Sequence, residues 1–188
     1  MYRNTLLNLL NNYYPENIKE QEYKEKMITF IENNPNCFDR SNSKGHITAS
    51  AWVINRDQNK VLLMLHKKLN LWLQLGGHAD GESNVRLVAL KEAQEESGIK
   101  QMHFIDDEIF DIDIHKIPAH KDIPEHLHYD IRFILETEHE NVIQNNESIA
   151  LKWFTKNEEE FPNKSESMMR MFFKWQAKFS LFNDNPNQ

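Results

Sequence analysis

One helix constrains this chain more than any other stretch, because chain breakers bracket it and segments of β texture lie on both sides. The turn-forming run Gly76-Gly77-His78-Ala79-Asp80-Gly81 opens it, Ser83 or Asn84 offers a side-chain oxygen as N-cap, and Gly98 closes it. Upstream, Ile47–Ile54 and Val61–His66 read as strands joined by the polar turn Asn55 to Lys60, a hairpin. Downstream, Phe110–His115 and Leu127–Leu135 alternate apolar with polar, the period of a half-buried strand. The second run puts Leu127, Tyr129, Ile131, Phe133 and Leu135 on one face, with His126, His128, Asp130 and Arg132 on the other. Polar residues that alternate along a strand usually form its solvated face.

The flanks are helical. Leu6, Leu7, Leu9 and Leu10 mark a first helix, and Met27, Ile28, Phe30 and Ile31 close a second, with Pro15 between them and Pro35 after. The Asn- and Ser-rich stretch from Asn36 to Gly45 reads as a connector, with a boundary near residue 42. Ile149–Phe154 reads as the last strand, and a terminal helix from about Ser165 to Phe179 offers Met168, Met169, Phe172, Phe173 and Trp175 for core packing or for a homodimer interface. A chain of 188 residues carrying 11 Phe and 4 Trp can bury one sizeable core.

The central helix breaks its own pattern. Val85, Val88 and Ala89 form one stripe at 100° per residue, and the stripe continues into Glu92 and Glu96. Glu95 flanks them, and Glu92 and Glu96 stand at the i, i+4 spacing where like charges repel. Two readings follow. Either the acids form a solvated face, or a hard divalent cation such as Mg²⁺ sits between them and relieves the repulsion with oxygen ligands.

Residues 76 to 99 resemble the signature of the Nudix hydrolases. That pattern is a Gly, a Glu six residues later, then Arg-Glu, an apolar residue, any residue, Glu-Glu, any residue, Gly and an apolar residue. Counted from Gly77, this chain matches at Glu92, Ala93, Glu95, Glu96, Gly98 and Ile99. It departs at Ser83, where the family has its first Glu and Glu82 stands one residue early, and at Lys91 in place of Arg. Lys keeps the charge near Glu95 but lacks the planar fork that clamps a carboxylate. Leu71-Trp72-Leu73-Gln74-Leu75 and His46–Trp52 flank the box as in a bacterial branch with a Gly-Gly-His loop.

The resemblance implies an α/β fold, the Nudix-type α/β/α sandwich with a mixed sheet, plus extra helices at the N- and C-termini. It divides the chain into a helical extension over 1–44, the hydrolase domain over 45–160 and a C-terminal helix over 161–188 packed on that domain. It implies hydrolysis of the diphosphate linkage of a nucleoside diphosphate joined to another moiety, with Mg²⁺ or Mn²⁺ held by Glu92, Glu96 and Glu95. Glu92, Glu95 and Lys91 are then the catalytic group, with Lys91 orienting a helix carboxylate and a Gly76 or Gly77 carbonyl completing the metal shell. Gly77, His78, His126 and His128 are the implied substrate contacts. A further acid from a later loop would be Glu147 or Glu138, unless both are plain surface residues.

Other residues admit two readings each. His126, His128 and Asp130, with His78, form a nitrogen-rich transition-metal site or a substrate contact, against the solvated face already described. Lys67 and Lys68 read as an exposed turn rather than phosphate contacts, and Trp72 and Tyr129 as core rather than base-stacking platforms. The sequence departures at Ser83 and Lys91 leave room for a nucleotide-binding or regulatory domain without catalysis. A prenyl diphosphate isomerase ranks last, since Cys37, the single Cys, lies outside any such context.

A net charge of −7 disfavours a nucleic acid polymer as partner. No run approaches the length of a membrane span, and one Cys agrees with a reducing compartment, so the expected setting is cytoplasmic. The partner that the resemblance implies is a small-molecule nucleotide or other diphosphate substrate.

Overall fold

The computed structural model describes residues 2–120, 123–146 and 148–180. Two helices come first, α1 (Tyr2–Asn12) and α2 (Ile18–Asn33), the second capped by Asn17, whose side chain accepts from the Glu20 amide. Strands β1 (Gly45–Asn55), β2 (Lys60–His66), β3 (Leu71–Leu73) and β4 (Leu75–His78) precede α3 (Val85–Ser97). After it come β5 (His103–Phe104), β6 (Asp111–Ile117), β7 (His126–Thr137), β8 (Ser148–Thr155) and α4 (Glu166–Ser180). The strands form one mixed sheet of eight, with β1 and β7 parallel and the other pairs antiparallel.

The sheet is curled by a splay. β1 and β2 pair only at Val53↔Leu62 and Ile54↔Val61, so the expected hairpin is real but short. Beyond those positions the two strands diverge, and the chain from Leu71 to His78 fills the gap. β3 pairs with β2 at Met64–His66, and β4 pairs with β1 at Thr48–Ala51. This corrects the expectation that residues 76–81 form one turn. Gly76, Gly77 and His78 belong to a strand, because β1 offers them an unpaired edge, a tertiary partner that local composition does not reveal. The turn is confined to Ala79–Gly81, where Asp80 and Gly81 have φ of 49° and 86°.

Two cores lie on opposite faces of the sheet. On one, Ile47, Ala49, Ala51 and Val53 of β1 and Ile131, Phe133 and Leu135 of β7 pack with α1, α2 and the Val85, Val88, Ala89 and Ala93 stripe of α3. On the other, Trp52, Ile54, Val61, Leu63 and Ile134 pack with Met168, Met171, Phe172, Trp175 and Phe179 of α4. Burying a side chain of this size contributes about 1.5–3 kcal/mol, so α4 is held to the sheet by several such contacts. Met171 takes the inward position, while Phe173 is 46% exposed.

The polar face of β7 is not solvated as the alternation suggested. Asp130 and Arg132 are buried, since α4 covers that face and brings cations to meet its acids. Among the described residues no helix is long and apolar enough to cross a membrane.

Candidate functional site

The splay in the sheet places the Gly-Gly pair beneath α3. Asn84 caps that helix by accepting from the Leu87 amide, and Gly98 ends it with φ of 73°, a left-handed conformation that suits glycine. These fixed ends direct Glu92 and Glu96 down onto β4. The Glu96 carboxylate is buried and its Oε2 accepts from the Gly76 amide at 2.8 Å. Glu92 is half-buried over Gly77, close enough that a Cβ there would come within 2.5 Å of its Oε2. Gly76 is equally tight on its other side, where a Cβ would meet Ser50 Cα at 2.6 Å and Ala49 O at 2.7 Å. Both glycines therefore permit close approach, one to a carboxylate and one to a neighbouring strand.

Glu95 and Lys91 lie on the solvent side of the same helix. Their charged atoms are 3.7 Å apart, and both side chains are more than half exposed. Glu92, Lys91 and His78 line a cavity of about 230 Å³ together with Ala79, Asp80, Glu82, Leu87 and Val88. The turn that floors it is pinned by Arg40, which pairs with Asp80 and holds its carboxyl below the usual range. Glu82 is exposed and accepts from the Asn84 amide at 2.8 Å, so it braces the start of α3 while fronting the same cavity as Glu92. Ser83 is half-buried in the link between turn and helix.

The histidines converge as well, with one member that the sequence reading did not include. His46 of β1 sits opposite His128 of β7 in the register, and β4 brings His78 alongside from the other edge. The His46 ring centroid is 5.1 Å from that of His78, 4.7 Å from that of His128 and 5.0 Å from that of His126. Burial, aided by neighbouring histidines, pushes the His46 imidazole down to about 4. Burial, then Arg40, lowers His78 to about 4, and burial together with His115 lowers His128 further. Asp130 is not part of this cluster. Its carboxylate accepts from Thr48 Oγ1 at 2.9 Å, Ser50 Oγ at 2.7 Å and Arg132 Nε at 2.7 Å.

A buried ion network continues from Asp130 along the sheet. Arg132 pairs with Asp111 and Asp113, and from α4 Arg170 reaches both acids. Lys174 donates to Asp111 at 2.9 Å, Glu20 at 2.8 Å and Tyr13 at 2.7 Å, tying α4 to the N-terminal helices. The signal in the sequence was Arg170 and Lys174 four apart in an apolar helix, opposite strands that carry Asp at alternate positions.

Of the remaining candidates, Glu138 stands apart. It pairs with Arg56 at 2.9 Å past the end of β7, six residues beyond Arg132, the partner of Ser50. Six residues of strand span about 20 Å, too far to reach the Gly76–Glu96 contact. Glu147 lies outside the described residues. Lys67 and Lys68 are in an exposed turn, Tyr129 is buried and stacked on Phe30 at 4.0 Å, and Trp72 is half-buried against Phe154. Cys37 is buried in the core.

Comparison with known proteins agrees with this arrangement. The NUDIX domain family matches residues 44–176. Among solved structures, a NUDIX-family hydrolase from Clostridium perfringens is similar, with TM-score 0.52 and 23% identity, covering 71% of this chain and 97% of that one. The E. coli dihydroneopterin triphosphate pyrophosphohydrolase is similar with TM-score 0.54 and 18% identity, covering 72% of this chain and 95% of its own. The NUDIX domain of Shewanella oneidensis NrtR, solved with ADP ribose, gives TM-score 0.51 and 14% identity, covering 80% and 96%. At these identities the likeness is one of fold. No curated protein matches the chain.

Proposed function

The chain belongs to the NUDIX-domain family of hydrolases, and from that premise we propose that it is a Mg²⁺- or Mn²⁺-dependent enzyme cleaving the diphosphate linkage of a nucleoside diphosphate joined to another moiety. The observation that carries this reading is the Glu92 carboxylate over Gly77 beside the Glu96 carboxylate on the Gly76 amide. Clustered carboxylates beside a side-chain-free backbone are the oxygen-donor set that a hard divalent ion takes, so the residues fit the group. Glu92 and Glu96 would be the main ligands, Glu95 a third from the solvent side, and a Gly76 or Gly77 carbonyl would complete the shell. A bound cation of this kind supplies neutralisation of phosphate charge and a more acidic water.

The protein's own groups do the positioning. The Gly76 amide holds Glu96 in one orientation, and Lys91, which lines the cavity, pairs with Glu95 on the solvent side of the helix. His78 and the turn that follows it present the floor on which a diphosphate would lie, with Gly77 behind them under Glu92, and the 230 Å³ cavity is of a size for that part of a substrate rather than for the whole. ADP ribose, the ligand of the Shewanella oneidensis domain, is one member of the substrate class proposed here. The Gly-Gly-His run at 76–78 assigns the chain, in our reading, to a bacterial branch of the family. Residues 45–160 would form the hydrolase unit, with 1–44 as a helical extension and the segment from 161 packed on it.

The test is a phosphate-release screen over nucleoside triphosphates, ADP-ribose, dinucleoside polyphosphates, nucleotide sugars and coenzymes, with Mg²⁺ and with Mn²⁺. Glu96→Gln and Glu92→Gln are expected to abolish turnover on whichever substrate is accepted. Full activity in Glu96→Gln overturns the role of that residue, and tight nucleotide binding without product overturns the enzyme reading.

A further inference from the structure

We propose that His46, His78 and His128 form a nitrogen-donor site for a divalent transition ion of the Zn²⁺ class, separate from the carboxylates of α3. One ring nitrogen from each of the three lies within 4.8 Å of those of the other two. A tetrahedral ion bound at about 2.0–2.1 Å spaces its nitrogens about 3.3–3.4 Å apart, so small side-chain rotations close the set.

The second observation is the state of the rings. His46 is 3% exposed, and both of its nitrogens are buried without a hydrogen-bond partner; His128 Nε2 is likewise buried and unpartnered. Buried polar atoms ordinarily find partners, since leaving one unsatisfied costs about 1–3 kcal/mol. Two adjacent rings with orphaned nitrogens, pointed at a third, are explained at once by a shared ion. Nitrogen ligands favour borderline ions over Mg²⁺. His78 also lines the cavity below α3, which gives an ion a way in from solvent.

The rigidity of the site comes from the sheet. Its ligands stand on β4, β1 and β7, three neighbouring strands whose register fixes His46 opposite His128 and Thr48 opposite His78. His126 is 5.0 Å from His46 by ring centroids, but its Nδ1 already contacts the Pro124 carbonyl at 2.9 Å, so it stands beside the set and not in it. With three protein nitrogens, a fourth position remains for water or a substrate oxygen.

The test uses the full chain, stripped with a chelator and titrated with Co²⁺ as the spectroscopic stand-in for Zn²⁺. The expected result is one visible absorption band of tetrahedral type per chain, displaced by Zn²⁺ and unaffected by millimolar Mg²⁺. His128→Asn and His78→Asn should each remove the band and weaken Zn²⁺ binding about 100-fold or more, whereas Glu92→Gln should retain it. Nitrogen-detected NMR of the wild-type imidazoles on adding Zn²⁺ should shift three rings together, a readout that needs no variant to fold. No band and no ring shifts, or a band lost in Glu92→Gln and kept in His128→Asn, overturns the proposal.

Discussion

The Glu92 carboxylate occupies the space that a side chain at residue 77 would need: a Cβ on Gly77 would lie 2.5 Å from Oε2 and 2.6 Å from Cδ. The neighbour is the far end of a flexible side chain, so Gly77→Ala should fold while displacing the carboxylate. A shift of about 1 Å in a catalytic group can cost on the order of 100-fold in rate, and we expect a loss of that size with a small change in Tm. Gly76→Ala meets the backbone of β1 instead, which cannot yield, and should lower stability by about 1–3 kcal/mol. Metal-dependent turnover and thermal unfolding, measured side by side on the two variants, separate these outcomes. Equal activity in Gly77→Ala and the wild type would contradict the first.

Lys174 is the hub that joins both ends of the chain to the sheet, donating to Glu20, Asp111 and Tyr13 while itself buried. Its acid partners are fully buried, and although Asp111 keeps Arg132 and Arg170, Glu20 is left with Arg170 at 3.8 Å as its cation, so Lys174→Met should cost about 3 kcal/mol in urea unfolding. Lys19→Ala removes the exposed Lys19–Glu166 pair and should cost less than about 1 kcal/mol. Comparable losses in the two variants would show that the buried network does not carry the docking of α4.

The central helix was legible because its stop signals, apolar stripe and acidic continuation are all local: Asn84, Val85, Val88, Ala89, Glu92, Glu96 and Gly98 fall where the spacing puts them. The strand at Gly76–His78 was not, since glycines read as turn unless the partner strand is known, and the partner Thr48–Ala51 is nearly thirty residues away. Asp130 and Arg132 misled for the same reason. Alternation reports that two faces differ, but not that Arg170 and Lys174 will cover the polar one. His46 escaped notice because it is one residue in an otherwise apolar and small strand, and its meaning depends on His78 and His128 arriving on strands to either side.

The network also sets the acid limit of the fold. Burial pushes the Asp113 carboxyl up, but Arg132, His115 and Arg170 together outweigh it and hold the group far below the ordinary value of 3.8. Asp111 is held down in the same way against burial, chiefly by Arg170 and then Arg132 and Lys174. A depressed folded-state pKa contributes stability that is fully present above the unfolded value and is lost as pH falls through the folded one. His46, His78 and His128, held neutral below their ordinary value of 6.5, take up protons on unfolding, so the urea midpoint should begin to fall below about pH 6.5 and decline more steeply below about pH 4 as the carboxylates protonate. Asp113→Asn should be less stable at pH 6 and should flatten that decline; an unaltered slope would remove Asp113 from the account.

Lys91 stands where the family pattern has Arg, and its ammonium is 3.7 Å from Glu95 with both side chains largely in solvent. A point charge on a flexible stem holds a carboxylate loosely, and an exposed pair of this kind contributes under about 1 kcal/mol. Glu95 is consequently the least fixed of the three acids, since Glu96 is tied to a backbone amide and Glu92 is packed over Gly77. A guanidinium at residue 91 could engage both oxygens of Glu95 in a planar fork, restricting it to one orientation. Lys91→Arg should raise kcat by about threefold to tenfold, at most about 1.4 kcal/mol of barrier, while KM for the nucleotide changes by less than about twofold. Tm should stay within about 2 °C, because the helix is already capped at both ends and the pair is exposed. Lys91→Met should move kcat the other way. A kcat that does not respond to either substitution would mean that Glu95 needs no positioning, and would transfer its assigned role to Glu92 and Glu96 alone.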